Sequence, residues 1–172
     1  SPQRMWTVKS DGTGLRPVFP EGDRDWVTHE AVIGKDEVAF AIMGHRKIPG
    51  GVKDLGEATG VGGVNPGQEP EWGPSGTRER PTGLGIANLR TREVLIVGQT
   101  KEGSGLWHVS GSPDGRFVVG DDFSRSIYLI DRRNSEMMLL STGHKATAAD
   151  HPHPTMSPDG TKIQIQSAML SA

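Results

Sequence analysis

Apolar residues fall in short runs along this chain, and each run is bounded by turn residues. "GLGIAN" (83–88), "FVVG" (117–120), "SIYLID" (126–131) and "EMMLLS" (136–141) are too short for helices. The turns between them repeat. "GSPDGRFVVGD" (111–121) and "MSPDGTKIQIQS" (156–167) are one device set 45 residues apart, an Asp-Gly turn leading into a strand. "KSDGTGLRPVF" (9–19) carries a related turn. "IGKDEVAFAIM" (33–43) carries a degenerate one, with Lys35-Asp36-Glu37 in place of Pro-Asp-Gly. The stretches 4–19, 83–98 and 126–141 each predict strand, tight turn, strand. Short strands at this spacing argue for an all-β repeat fold. A period of roughly 40–45 residues with four strands per unit is the signature of a β-propeller blade.

The chain then divides into about three blade equivalents. Residues 1–20 form the end of one blade. Residues 27–98 form a second, with an insertion at about 45–82. Residues 106–142 form a third, and 151–172 start a fourth. Propellers close with four to eight blades. This chain is therefore expected to need further blades, from a longer polypeptide or from another chain. The start at Ser1 without Met is consistent with removal of an upstream part. The insertion is rich in Gly and Pro with no sustained period, so it is either a functional loop or a disordered crossing. Trp72, Arg78 and Arg80 within it would suit an anionic sugar, against the plainer expectation of a solvated loop.

Composition agrees and narrows the function. Gly and Pro make up 24 and 12 of 172 residues, as many-turned β proteins require. A net charge of −2 gives no basic surplus, which argues against nucleic-acid or membrane-surface partners. With no cysteine there is no disulfide framework and no thiolate metal site. No apolar run approaches the ~18 residues of a membrane helix, and no signal peptide is visible. The expected residence is cytoplasmic, with the bacterial periplasm as the alternative.

The chemistry concentrates in histidines. His108 and His153 each lie four residues before the Ser of a Ser-Pro-Asp-Gly turn. His29 lies seven residues before Asp36, against six before the equivalent Asp for the other two. Three imidazoles thus occupy one repeat position, at the start of the innermost strand. In a propeller those positions share one rim of the central channel, although 79 and 45 residues separate them here. His151 adds a fourth in "HPHP" (151–154), stiffened by Pro152 and Pro154. A lone histidine is more often a surface or hydrogen-bonding residue. Recurrence at one repeat position favours a shared site. Such a set without cysteine favours a borderline or hard divalent ion. "GDD" (120–122) reads as a strand-end turn rather than as the paired carboxylates of glycoside hydrolysis. "GTGLRP" (12–17) and "GVGGV" (60–64) open no helix and give no phosphate loop.

"RMWTVKSDG", "WVTHE", "WHVSGSPDGRFVVGDD" and "DHPHPTMSPDG" together resemble the oligogalacturonate lyases, polysaccharide lyase family 22. These are seven-bladed propellers, and the resemblance covers nearly all of the chain except the insertion. It implies a metal-dependent β-elimination on pectin-derived oligogalacturonides, with Mn2+ the expected divalent ion. It also implies site residues. His29 of "THE" matches the catalytic base, and Arg4 of "QRMW" matches an arginine on the reacting sugar. His108, His151 and His153 match the metal-binding histidines. The family's fourth ligand, a glutamine, falls here on Ala148, which cannot ligate, so water, Asp150 or another group would have to serve. His29, with an ordinary pKa near ~6.5, is expected to lose activity when protonated. Two alternatives stand beside this function. One is a non-catalytic TolB-like propeller that binds partners. The other is a divergent lyase acting on another uronate glycan.

Overall fold

The computed structural model describes residues 4–21, 25–45, 83–98, 106–122, 124–144 and 151–167. These residues form twelve strands and no helix, and no helix is long and apolar enough to cross a membrane. β1 (Trp6–Thr7) and β2 (Arg16–Pro17) make a short hairpin. β3 (Asp25–Ile33), β4 (Glu37–His45), β5 (Gly83–Asn88) and β6 (Val94–Val97) form an antiparallel four-stranded meander. β7 (Leu106–Gly111), β8 (Phe117–Asp122), β9 (Ile127–Asp131) and β10 (Glu136–Ser141) form a second. β11 (Thr155–Met156) and β12 (Ile163–Gln164) pair as a last hairpin. The insertion with Trp72, Arg78 and Arg80 lies outside the described residues, apart from the β4 end at His45, as do Ala148 and Asp150.

The repeated turns close with their own atoms. Gly115 N–H donates to Ser112 O at 2.8 Å, and Gly160 N–H to Ser157 O at 2.8 Å. Asp114 accepts from Arg116 N–H and Asp159 from Thr161 N–H, each at 3.0 Å. Gly115 and Gly160 take φ of 71° and 69°, the left-handed conformation that glycine reaches without steric penalty. The degenerate turn at 34–36 also joins two antiparallel strands, and Glu37 already belongs to β4. There Gly34 supplies the positive φ, at 53°.

The two meanders stack face to face. Ile33, Ala39, Leu84, Ile86 and Val97 of the first meet Leu106, Val118 and Ile130 of the second in one buried cluster. Close approach depends on Gly111, where a Cβ would lie 2.6 Å from Ile33 Cγ2. Across the same seam, Arg132 forks onto the Glu37 carboxylate. The β1–β2 hairpin covers the other face of the first sheet, where Met5 and Val18 join Val27, Phe40 and Ile42, and Phe19 stacks on Phe40 at 4.7 Å. β7 packs against β3 on one side and β11 on the other, so the first strands of three successive sheets run side by side. That adjacency positions the site.

Candidate metal centre

Two β-bulges aim the histidines. In the β7–β8 ladder, Leu106 pairs with Asp122 and Val109 with Gly120. Trp107 and His108 therefore both face Asp121. A bulge of this kind bends the strand and re-aims the side chains at the extra residue. The Trp107 and His108 rings stack, with centroids 5.1 Å apart and planes 12° apart. Asp121 then holds His108 twice. Its Oδ1 accepts the His108 backbone N–H at 2.7 Å, and its two oxygens lie 3.0 and 2.8 Å from His108 Nδ1. Both residues are buried.

The second bulge is at His29. Thr28 pairs with Ala41 and Glu30 with Phe40, leaving His29 unpaired in the ladder. Its φ is 50°, a conformation that costs about 1–3 kcal/mol in a non-glycine residue. Its Nδ1 is buried without a hydrogen-bond partner. Burial, followed by the charge His108 carries when protonated, pushes the His29 pKa down to about 4. His29 is thus neutral at neutral pH. It lies in the middle of β3 rather than at the strand's start, because β3 reaches back to Asp25 through two bulges. The ladder from Glu30 to Ile33 is regular, so the extra residue in the spacing of His29 lies in the turn, where Asp36 is the third residue after Ile33 and Asp114 the second after Ser112.

His151 and His153 arrive from the segment before β11. Pro152 O accepts from Gln166 N–H at 2.8 Å, and Met156 N–H donates to Ser110 Oγ at 3.1 Å, pinning the segment to β7. His153 takes φ of 43°. The His153 ring reaches 3.6 Å from the His108 ring, and His151 reaches 5.5 Å. One nitrogen from each of His108, His151 and His153 lies within 4.8 Å of the others. The His29 ring is 4.5 Å from that of His108. Burial lowers the pKa of His151, with Arg125 the next cause, and of His153, with His108 the next.

This donor set suits a divalent ion. Imidazole nitrogens ligate at ~2.0–2.1 Å, so two ligating nitrogens lie no more than about 4.2 Å apart. The observed span of 4.8 Å is a little wider, so a bound ion would draw His151 and His153 towards His108. Neutral imidazoles are the ligating form, and the lowered pKa values of His151 and His153 keep those two so.

The structure brings together four of the five residues singled out from sequence. Arg4 precedes β1, where its backbone N–H donates to Glu21 Oε1 at 3.1 Å. It is not among the charges acting on His29, His151 or His153. Three neighbours carry no site signal in the repeat pattern: Trp107, Arg125 and Asp121. Trp107 packs edge-on against His151 at 4.2 Å. Asp121 lies in the "GDD" read as a turn. That holds for Asp122, which caps Ser126 N–H at 2.8 Å. Asp121 turns to the histidines instead. Its signal was its place in the strand paired with that of His108.

The solved structures similar to this chain include an oligogalacturonate lyase in complex with manganese. It is 19% identical with a TM-score of 0.59, over 98% of this chain and 39% of that one. Another is an oligogalacturonate lyase of Vibrio parahaemolyticus, 19% identical with a TM-score of 0.57, over 95% and 38%. The chain folds as β-propeller blades. It spans about two fifths of the length of these lyases. No family model and no curated protein matches it.

Proposed function

We propose that this chain carries the metal centre and base of a lyase that cleaves uronate oligosaccharides, oligogalacturonides in the first instance, by β-elimination. The observation that carries this is the convergence of His108, His151 and His153, one nitrogen each within 4.8 Å, beside a neutral His29. The description of one similar structure as a manganese complex makes Mn2+ the first ion to test.

A divalent ion on the three imidazoles would supply Lewis acidity to the substrate carboxylate. His108, His151 and His153 hold that position. His29 accepts the proton from C5 of the uronate, the C4–C5 double bond forms, and the C4–O bond breaks. The departing sugar oxygen takes up a proton. General-base catalysis of this kind contributes roughly 10²–10⁴-fold. Arg4 is assigned to the substrate carboxylate on its sequence motif, where a guanidinium would offset developing negative charge.

The test incubates the protein in its natural full-length form with oligogalacturonides and Mn2+ and follows ultraviolet absorbance of the unsaturated uronate. Metal-dependent product formation is expected. No product from any uronate polymer, with no metal bound on elemental analysis, would sink the proposal in favour of a partner-binding propeller. Product only from another uronate glycan would change the substrate and keep the chemistry.

A further inference from the structure

We infer that Asp121 is the positioning residue of this centre, holding His108 in the tautomer that carries its proton on Nδ1 and leaves Nε2 free to ligate. This rests on the metal centre proposed above and names the group that prepares it.

The bulge opposite Asp121 leaves the His108 amide without a regular ladder partner, and Asp121 Oδ1 accepts it at 2.7 Å. The same carboxylate lies 3.0 and 2.8 Å from Nδ1. An ionised carboxylate only accepts, so Nδ1 must donate. A neutral imidazole protonated on Nδ1 has its lone pair on Nε2. Asp121 is 1% exposed and His108 6%, so water does not compete for these bonds. Two attachments, one to the backbone and one to the ring, leave the ring little freedom to rotate. Asp121 also acts on the rest of the cluster, because its negative charge is felt by His29, His151 and His153. A buried carboxylate in contact with His108, whose charge the other three imidazoles also feel, favours a cation among them. Its neighbour Asp122 faces the β8–β9 turn, accepting from Ser126 N–H and Tyr128 Oη–H. The two carboxylates of "GDD" therefore divide between turn and site.

Asp121→Asn separates orientation from packing. The replacement amide keeps the volume of the carboxylate, and its oxygen still accepts the His108 amide N–H. Its NH2 group, however, donates to Nδ1 and moves the imidazole proton to Nε2, blocking the ligating lone pair. Loss of such a partner typically weakens metal binding 10–100-fold. Two readouts are needed on the full-length protein. Titration calorimetry with Mn2+ should show weakening in that range for Asp121→Asn. Long-range 1H–15N NMR of the metal-free protein should place the His108 proton on Nδ1 in the wild type and on Nε2 in the variant. A wild-type proton on Nε2, or wild-type Mn2+ affinity in a folded Asp121→Asn variant, overturns the inference. The wild-type spectrum decides even if the variant fails to fold. If the wild type binds no Mn2+ but the spectra behave as stated, the metal proposal fails and the orienting role of Asp121 stands.

Discussion

His29 and His108 occupy matching bulges on the first strands of neighbouring sheets, yet their surroundings oppose each other. Opposite His108 stands Asp121, a carboxylate that grips both ring and amide. Opposite His29 stand Ala41 and Phe40, neither of which can accept a proton, and Nδ1 is buried without a partner. Counting from the pairs Val109–Gly120 and Glu30–Phe40, Ala41 is the counterpart of Asp121. One backbone device thus yields two kinds of histidine. The gripped one is aimed and suits a ligand. The other is neutral, with a pKa near 4, and its Nδ1 is tied to no hydrogen-bond partner. The difference lies in one residue on the adjacent strand.

The sharpest way to break this contrast is to remove each histidine in turn. His108→Ala should abolish tight Mn2+ binding, weakening it by more than the roughly 100-fold upper range for an outer partner, as read by calorimetry. Unchanged affinity would show that His108 is no ligand. His29→Ala should leave Mn2+ affinity near wild type and lower kcat by roughly 10²–10⁴-fold. Equal loss of binding from both variants would erase the distinction.

Acidification probes the pair more gently. The folded pKa of His29 lies below its unfolded value, and those of His151 and His153 shift the same way. The unfolded chain therefore binds protons first. The stability from these neutral histidines is complete above pH ~6.5 and is lost as pH falls below it, for His29 towards about 4. Urea denaturation of the metal-free protein at pH 7.5, 6 and 5 should show midpoints falling in that order. A flat profile would contradict the burial assigned to the cluster.

The smallest effect is expected at the seam that holds the two bulges together. Glu37→Gln weakens the fork from Arg132 and should cost about 1 kcal/mol, because the pair is partly exposed to solvent. The denaturation midpoint should move while Mn2+ affinity stays near wild type. A large loss of affinity would mean that the seam, and not the local bulges, sets the geometry of the site.

Much of this fold was legible because its punctuation is local. Ser112-Pro-Asp-Gly115 and Ser157-Pro-Asp-Gly160 close on their own atoms, so the residues that form each turn are written together. His29, His108 and His153 were legible because each keeps a nearly constant distance from such a turn, and His151 because it shares the His-Pro-His-Pro stretch with His153. Asp121 was not legible as a site residue. Its relation to His108 runs across a ladder whose register slips by one residue at the bulge, and periodicity counts no slip. The pKa of His29 departs from its sequence expectation for a related reason. An ordinary value near ~6.5 belongs to a solvated imidazole, and burial against three others is a property of the assembled sheets.

By itself, then, the sequence determined an all-β chain of repeated strands and turns, with histidines recurring at one repeat position. Those properties depend on neighbours within a few residues. Only the tertiary structure decided which imidazoles meet, which nitrogen of His108 faces Asp121, and that His29 is left neutral with its Nδ1 without a hydrogen-bond partner. Those outcomes depend on strand register and on burial between sheets, and groups from positions 29 to 153 come within a few ångströms only once the sheets have stacked.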